Sequence, residues 1–459
     1  MRRSTNLAFD SRHDGARDPR NLRPTRVPQT SPLVRKLLVA TGIALLLATP
    51  VDAQMQARML TLEQAVARVK AIGFDVRMAR ADRTIASADA RSAASLVRPQ
   101  VGVSANASNA NEPQLGMPIA RQAYGAAMLT YPLYAPANSA TARSARESAA
   151  AAEFSLNATA SDAVFATVSA YRRLQLAEAI LAVRGVAVTD RARHLRVTEQ
   201  RVAAGKLARY VTLRDRATLA TATQAREDAA SERDQAANDL EALIDLGEES
   251  IEVEALSPVA LSDSRESLVK RALGNRPALL AAEERIRAAE SGIAAARDQY
   301  LPNASLSAQS YNGSSSPPLG RGGGQVQITA TLPIVDGGSR AAAVSRARAQ
   351  LDRALASRDQ TRAGVLRDVA NAWREYEAAT RNLATAAAAT ADAQEQLRLA
   401  QLREDAGKAI DVEVLDALTL AATARETTAR SLARYDLAVA ALFHAAGDDA
   451  NLFRKESYL

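Results

Sequence analysis

The segment Leu332-Pro333-Ile334-Val335-Asp336-Gly337-Gly338 lies where the period of the hydrophobic pattern changes. On its N-terminal side, Val326, Ile328 and Ala330 alternate with polar residues, which is typical of a β-strand. On its C-terminal side, residues 338–405 contain no proline and a single interior glycine, which favours one uninterrupted helix. Such a helix is about 100 Å long at 1.5 Å per residue, a length that a coiled coil uses and a globular core does not. The segment therefore predicts a junction between a strand and a helix of coiled-coil length.

The same junction occurs earlier in the chain, at Tyr131-Pro132-Leu133-Tyr134. It precedes the later one by about 200 residues, and three further landmarks recur at nearly the same offset. These landmarks are Pro99 and Pro302, Tyr171 and Trp373, and Ala204-Gly205-Lys206 and Ala406-Gly407-Lys408. Four agreeing offsets predict an internal two-fold repeat in which each half is the same supersecondary unit.

Each half of the repeat is predicted to contain the same succession of elements. An opening helix is followed by two strands of about ten residues, a long helix of about 65 residues that ends at an Ala-Gly-Lys turn, and a helix that runs back. The predicted opening helices are 61–96 and 265–300, the long helices about 138–203 and 338–405, and the returning helices about 209–246 and 411–446. Asn-, Pro- and Gly-rich loops separate the strands of each pair, at roughly 109–122 and 312–324. A tilted strand of this length crosses an outer membrane, although an ordinary two-sided soluble sheet fits the same alternation.

The N-terminal residues 1–53 carry the pattern of a secretory signal. Arg35-Lys36 precede an apolar run of about 12 residues, which is too short for an ordinary transmembrane helix, and Val51-Asp52-Ala53 supplies the small residues of a cleavage site. We therefore expect an exported mature chain that begins at Gln54. The predicted division of the chain is an N-terminal extension with a signal peptide at 1–53, a first repeat at 54–260, a second repeat at 261–447 and a C-terminal tail at 448–459.

The composition excludes several functional classes. Apolar residues make up 47% of the chain but aromatic residues only 4%, so thin helix pairs are favoured over a large globular core. The chain has no Cys, and its three His residues (His13, His194 and His444) are far apart in sequence, so we expect no metal centre, no cofactor and no catalytic triad. The adjacent acids Glu283 and Glu284 do not share a helix face as an acid and base pair would, and the chain is not predicted to be an enzyme.

The net charge of +7 does not indicate a nucleic-acid partner. Residues 1–53 hold nine Lys or Arg and four Asp, so most of the excess positive charge lies in the predicted signal region. Elsewhere Lys and Arg alternate with Asp and Glu, without the basic stripe that phosphates require. Nucleic acid is therefore not expected among the partners.

With these features the chain resembles the TolC family of outer-membrane efflux proteins. The resemblance covers nearly all of the mature chain and is carried by residues 332–338 and by Ala406-Gly407-Lys408-Ala409-Ile410-Asp411-Val412-Glu413-Val414-Leu415-Asp416-Ala417. It implies an α+β membrane protein: a homotrimer whose long antiparallel helices form an α-barrel across the periplasm, and whose protomers give four strands each to one twelve-stranded transmembrane β-barrel. Physical chemistry supports more than one chain, since four strands cannot close a barrel and open strand edges are not tolerated in lipid.

The resemblance also implies a function and a set of partners. Members of this family are passive exit ducts in the Gram-negative outer membrane, supplied by an inner-membrane pump through a periplasmic adaptor (membrane fusion protein). By resemblance, the adaptor docks on the two helical turns, whose residues are Ala204, Gly205, Lys206, Leu207, Ala406, Gly407, Lys408 and Ala409. Glycine in such a turn permits the close approach of another hairpin, but it is also the ordinary residue at a helix C-cap.

Two acidic residues match the positions that ring the narrow periplasmic entrance in the family. Glu413 and Asp416 share a helix face, and three copies would place six carboxylates around a constriction that favours cations. Without the resemblance, two acids on an Ala-rich helix also fit an ordinary solvated face. The family's tyrosine and arginine gate positions are Glu404 and Ala409 here, and Val211 stands where the first half would have an acid. Any gate is therefore expected to use different contacts.

Two alternatives stay open. The sequence does not distinguish a drug or metal exporter from a type I protein-secretion duct, because the pump selects the cargo. A protein of a different class, an exported periplasmic coiled-coil adaptor or binding protein, explains the helices and the signal but not four amphipathic strands. Recovery from the outer membrane or from the soluble fraction distinguishes the two classes.

Overall fold

The computed structural model of the chain describes residues 58–109, 121–245, 251–257, 261–314, 322–408 and 410–448. The predicted signal peptide, parts of the predicted strand loops, most of the predicted C-terminal tail, and Ala409 of the second helical turn lie outside these residues. Helices predominate in the described part of the chain, and the two longest contain 68 and 67 residues. None of these described helices combines the length and the apolar character that a membrane span requires.

Both halves of the chain have the same order of long elements: two helices, two strands, one long helix and one helix that runs back. In the first half these are α1 (Leu62–Ile72), α2 (Phe74–Ser95), β2 (Gln100–Asn109), β3 (Arg121–Tyr134), α3 (Pro136–Ala203) and α4 (Arg209–Ile244), preceded by β1 (Arg58–Leu60). In the second half they are α5 (Arg265–Asn275), α6 (Pro277–Asp298), β5 (Asn303–Ser314), β6 (Gly322–Thr331), α7 (Ser339–Asp405) and α8 (Asp411–Ala446), preceded by β4 (Ile251–Val253). The long and returning helices begin and end within two residues of the predicted bounds.

The opening helix of each half is divided in two, so the prediction of single helices over 61–96 and 265–300 was wrong. In the first half the break is at Gly73, where a Cβ atom would lie 2.6 Å from a backbone oxygen of the preceding turn. In the second half Pro277 begins α6, and Arg276 before it has an extended conformation with φ −62° and ψ 115°. The proline ring explains that conformation, because it disfavours helical geometry at the preceding residue.

The four long strands form one antiparallel sheet with the order β2-β3-β5-β6, so the strand pair of one half adjoins the pair of the other. In this register Val101 is opposite Leu129, Leu129 is opposite Ala308, and Ala308 is opposite Val326. An apolar row therefore crosses all four strands on one face, while β2 and β6 are the edges of the sheet in the protomer. A separate two-stranded parallel sheet pairs β1 with β4 and joins the starts of the two halves.

The helices pack side by side, with α3 and α7 as the long members. α3 packs against α2, α4, α6 and α8, and α7 packs against α6 and α8, so shorter helices follow one another along each long one. Buried alanines form much of the seam of α7: Ala379, Ala386, Ala393 and Ala400 recur at heptad spacing. Thr428 of α8 donates a hydrogen bond of 3.0 Å to the backbone oxygen of Ala386. Small side chains thus let the helix backbones approach closely, as the composition predicts.

The larger apolar side chains are concentrated in three clusters along the helices. The first includes Leu174 and Leu240 and packs against both strands of the small parallel sheet. The second includes Leu268 and Val369 and packs α5 against α7 and α8. A smaller cluster around Leu397 holds the ends of α7 and α8 together, and so supports the turn between them.

Candidate functional site

The two helical turns lie together at one end of the helices. Arg201 of α3 joins them, because its Nη2 donates a hydrogen bond of 2.5 Å to the backbone oxygen of Glu404 at the end of α7. Thr198 of α3 donates a hydrogen bond of 3.3 Å to Oδ1 of Asp411 at the start of α8. We call this end the helical tip and define it as residues 194–216, 403–408 and 410–416.

Both long helices end in the same way. The backbone N–H of Lys206 donates to the oxygen of Arg201 at 2.8 Å, and that of Gly205 donates to the oxygen of Val202 at 3.0 Å, which is the Schellman motif. The turn at Gly407 repeats both hydrogen bonds. The two glycines have φ angles of 68° and 71°, and a Cβ atom on either would have nothing within 4 Å. Within the protomer, then, glycine is required at both positions for its backbone conformation and not for space.

The residues predicted for adaptor docking lie at the surface of the tip. Leu207 is half-buried, and the others in the described part of the chain are exposed: Ala204, Gly205, Lys206, Ala406, Gly407 and Lys408. Large apolar side chains are exposed beside both turns, with Tyr210 at 69% and Ile410 at 70%. An open groove of about 710 Å³ adjoins the second turn, lined in part by Leu399, Leu402 and Lys408. The groove is also lined by Arg403 and by the acids Asp392, Glu395 and Glu413, so the tip presents a mixed apolar and charged surface.

The two acids predicted to line an entrance have different surroundings. Both lie in the first two turns of α8, and Asp416 is exposed. Glu413 is half-buried, and its Oε1 forms an ion pair of 3.1 Å with Nη1 of Arg403 on α7. Because Arg403 offsets one of the two carboxylates, this face of the protomer carries less net negative charge than the acids alone would give.

A buried cluster of ionisable groups lies behind the two turns. His194 of α3 is 4% exposed, and its Nδ1 lies 3.1 Å from Oε1 of Glu404. Its Nε2 lies 2.9 Å from Oδ1 of Asp411, the first residue of α8, and 3.6 Å from Oδ2 of Asp215 on α4. Arg214 forms ion pairs with the other carboxylate oxygens of Asp215 and Asp411. We call these five residues the histidine cluster.

Sequence reasoning missed the histidine cluster because its members come from four helices that are far apart in the chain. A local signal was present: His194, Thr198 and Arg201 have the i, i+4, i+7 spacing of one helix face, and a polar set at that spacing is unusual for a coiled-coil seam. In the sequence, Glu404 differs from the tyrosine that the family has at a gate position, and this difference gave no indication of a partner. In the fold, Glu404 lies against His194. Asp411 lies in the first turn of α8, where the positive end of the helix dipole favours a carboxylate.

Charged side chains also join three helices farther from the tip. Nε of Arg184 pairs with Oε1 of Glu426 on α8 at 3.0 Å, and its Nη1 donates a hydrogen bond of 2.8 Å to the backbone oxygen of Ala225 on α4. The hydrogen bond with Glu426 raises the pKa of Arg184. Burial lowers the pKa of Arg191, whose Nη2 donates a hydrogen bond of 3.2 Å to Thr419 of α8. These bonds fix α4 and α8 against α3 and so set the geometry of the tip.

A second candidate site is the apolar face of the four-stranded sheet. Val101 is 75% exposed in the protomer, Val326 is 74% exposed and Ile328 is 67% exposed. The alternate positions of the same strands carry polar residues, including Gln325 and Gln327 on β6. An exposed apolar surface of this kind marks a contact with lipid or with another protein.

Comparisons with known proteins agree with this architecture. The family model described as outer membrane efflux protein matches residues 61–245 and 268–448. Outer membrane protein OprJ of Pseudomonas aeruginosa is 33% identical over 165 residues, a match that spans 35% of this chain and 34% of OprJ. The chain thus matches about a third of the length of this curated relative.

Solved channel structures share the fold at low sequence identity. The outer membrane protein VceC of Vibrio cholerae is 22% identical, with a TM-score of 0.71 over 84% of this chain and 96% of that chain. The MtrE outer membrane channel of Neisseria gonorrhoeae is 20% identical, with a TM-score of 0.72 over 86% and 91%. The CmeC outer membrane channel of Campylobacter jejuni is 18% identical, with a TM-score of 0.74 over 86% and 87%. At these identities the likeness concerns the fold.

Proposed function

Because the chain belongs to the outer membrane efflux protein family, we propose that it is a passive exit duct in the outer membrane. In this proposal an inner-membrane pump delivers substrates to the duct through a periplasmic adaptor. The family assignment rests on two matched segments that include both long helices and all four strands of the large sheet. It confirms the resemblance to the TolC family that the sequence predicts.

The exposed apolar face of the four-stranded sheet is the observation that carries the proposal. Burial of apolar surface is favourable by about 25 cal/mol per Å². In the protomer Val101, Val326 and Ile328 stay largely exposed and so contribute little of this stabilisation. The edge strands β2 and β6 also end the sheet in the protomer, and lipid does not tolerate open edges. A homotrimer that pairs β2 of each protomer with β6 of the next would close one twelve-stranded barrel and meet both requirements.

The helices and the tip support the other half of the proposal. At 1.5 Å per residue, α3 and α7 are each about 100 Å long, enough to extend far into the periplasm from a membrane-embedded sheet. The described residues of the turns at 204–207 and 406–408 are exposed except for half-buried Leu207, and Tyr210 and Ile410 are exposed beside them. This surface suits the docking of helical hairpins from an adaptor. Glu413 and Asp416 suit a constriction that favours cations, and the pump would select the cargo.

Lysine substitutions on the two faces of β6 test the proposal. Val326→Lys combined with Ile328→Lys places charges on the apolar face, where each costs about 2–4 kcal/mol near the bilayer midplane. We expect this variant to disappear from the outer-membrane fraction. Gln325→Lys combined with Gln327→Lys adds the same charge to the other face of the same strand and should be recovered like the wild type.

The mass of the wild-type particle in detergent completes the test. Recovery from the outer membrane at about three chains per particle supports the duct, because three protomers are needed to close the barrel. Equal loss of both lysine variants, or a soluble wild-type monomer, would contradict the proposal and favour the periplasmic adaptor class.

A further inference from the structure

The histidine cluster contains more acceptor atoms than its donors satisfy. Nδ1 and Nε2 of His194 both face carboxylate oxygens, at 3.1 Å for Glu404 and 2.9 Å for Asp411. A neutral imidazole donates from only one nitrogen, so the other would present its lone pair to a carboxylate. Among the described residues, the three carboxylates of the cluster pair with two guanidinium groups, those of Arg201 and Arg214, which leaves one negative charge uncompensated. A buried arrangement of this kind is stabilised by a further cation.

Three atoms of the cluster have the arrangement of metal ligands. Nε2 of His194, one carboxylate oxygen of Asp215 and one of Asp411 lie within 4.8 Å of one another. Nε2 is 3.6 Å from the Asp215 oxygen and 2.9 Å from the Asp411 oxygen. In a tetrahedral zinc site with bonds of about 2.0–2.1 Å, neighbouring ligand atoms are about 3.4 Å apart. Both of these separations are within about 0.5 Å of that value, and the two carboxylate oxygens lie within 4.8 Å of each other, so side-chain rotation would be needed to complete the geometry.

The groups around these atoms act as the outer sphere of a metal site would. Glu404 faces Nδ1 and so favours the imidazole tautomer in which Nε2 is free to bind a cation. Arg214 pairs with Oδ1 of Asp215 and Oδ2 of Asp411, which leaves the other oxygen of each carboxylate facing Nε2. The Asp215 side chain is 1% exposed. In the described ranges of the chain, its oxygens and Nε2 of His194 have ion-pair contacts but no hydrogen bond of good geometry.

We propose that His194, Asp215 and Asp411 bind one divalent transition-metal ion in each protomer. An imidazole nitrogen with two carboxylate oxygens suits Zn²⁺ better than Mg²⁺ or Ca²⁺, which prefer all-oxygen sites. The ion joins α3, α4 and α8 and, through the 3.1 Å contact between Nδ1 of His194 and Oε1 of Glu404, also α7. It therefore ties the two turns of the tip together inside one chain. The site is separate from the acidic pair of α8, and the proposal does not depend on the duct function.

Zinc binding to the full-length chain tests the proposal. The protein is purified in detergent, stripped with EDTA and titrated with Zn²⁺ alone by calorimetry, and we expect one Zn²⁺ per chain. His194→Gln and Asp215→Asn should each abolish this stoichiometric binding, and Glu404→Gln should lower the affinity about 10–100-fold. His444→Gln is the matched control, because it removes the other histidine of the described residues, which lies beside Asp162 and not in the cluster. Its zinc binding should equal that of the wild type.

Cobalt supplies a second readout that does not depend on whether the variants fold. Co²⁺ bound to the wild-type chain in a tetrahedral nitrogen and oxygen site gives intense visible absorption, which EDTA should abolish. Far-UV circular dichroism verifies that each variant retains its helices. A wild-type chain that binds neither metal would overturn the proposal. Equal zinc affinity in His194→Gln and His444→Gln would overturn it as well.

Discussion

At the scale of single residues, Tyr171 fixes the long helix α3 to the small parallel sheet. Its hydroxyl donates a hydrogen bond of 2.9 Å to the backbone oxygen of Leu60 and accepts one of 3.3 Å from the backbone N–H of Glu254. The residue is 1% exposed. Burial raises the pKa of Tyr171, and the hydrogen bond from Glu254 offsets only part of that effect. The fold therefore requires the neutral hydroxyl.

We expect Tyr171→Phe to lower the free energy of unfolding by about 1–3 kcal/mol, because the buried backbone oxygen of Leu60 and the part-buried N–H of Glu254 lose their hydrogen bonds to the hydroxyl. Denaturant titration measures the change, and Tyr210→Phe at an exposed position should stay within about 0.5 kcal/mol of the wild type.

The raised pKa of Tyr171 also makes the stability of the fold depend on pH. The stability that neutral Tyr171 contributes is complete below pH of about 10 and is lost as the pH rises through the folded-state pKa. Tyr171→Phe should lack this alkaline loss, and an equal loss in both proteins would assign it to another group.

The cap glycines permit a prediction about backbone conformation alone. Gly205 and Gly407 have positive φ angles of 68° and 71°, and a Cβ atom on either meets nothing within 4 Å. Alanine at each position should therefore cost about 1–2 kcal/mol through strain, measured by thermal denaturation. Gly185 inside α3 also has open space but a helical backbone, so Gly185→Ala should stabilise the protein by about 0.5–1 kcal/mol. If alanine lowered stability at all three positions, the φ angle would not explain the losses, and steric space would have to determine the effect.

At the scale of elements, the alanine seam of α7 determines how close α8 lies. The backbone oxygen of Ala386 accepts a hydrogen bond of 3.0 Å from Thr428 of α8, and Thr390 of α7 donates one of 3.0 Å to the backbone oxygen of Ala424. Both bonds connect a short side chain to the backbone of the facing helix. Such bonds require a close approach that larger seam residues would prevent.

Ala386→Leu should destabilise the helix pair by about 1–3 kcal/mol, because the added side chain overpacks the seam and separates the helices. The exposed neighbour Ala387 provides the matched control, since Ala387→Leu adds the same atoms outside the seam of the protomer. Chemical denaturation of both variants compares the two positions. Equal effects would show that the seam has room for a larger residue.

The helices and strands could be predicted from the sequence because their signals are local. A long run without proline that ends at Ala-Gly-Lys predicts α3 and α7, and the strict alternation of apolar and polar residues predicts the strands. The breaks at Gly73 and Pro277 were also local, but they depend on a contact with the preceding turn and on the geometry before a proline, which a search for apolar periodicity does not detect. The histidine cluster could not be predicted, because His194 meets its acidic partners only after four helices have packed. The prediction of no metal centre was based on the large sequence separation between the histidines. It did not consider carboxylates that are distant in sequence but close to His194 in the fold.

At the scale of the whole molecule, the proposed homotrimer would bring three copies of Glu413 and Asp416 together at the tip. Replacing both with alanine should lower cation selectivity in planar bilayers, measured as the reversal potential in a salt gradient, because six carboxylates are lost. Of the two single variants, Asp416→Ala should lower cation selectivity more than Glu413→Ala, since Arg403 already pairs with Glu413. Glu395→Ala, which removes an exposed acid paired with Arg398 on α7, is the control. An unchanged reversal potential in the double variant would refute the acidic ring.

The heptad spacing of the buried alanines also affects how freely the sequence can change. Along much of α7 a buried position is followed by several exposed ones, so most side chains of this helix touch no interior. Folding of the protomer therefore constrains a few small residues most strongly. Positions of the helix that also stay exposed in the proposed homotrimer can exchange size, charge and polarity at little cost in stability. The exposed residues of such a helix pair can therefore be substituted for new cargo or new partners. Two related proteins can then share few identical residues and still have the same backbone fold.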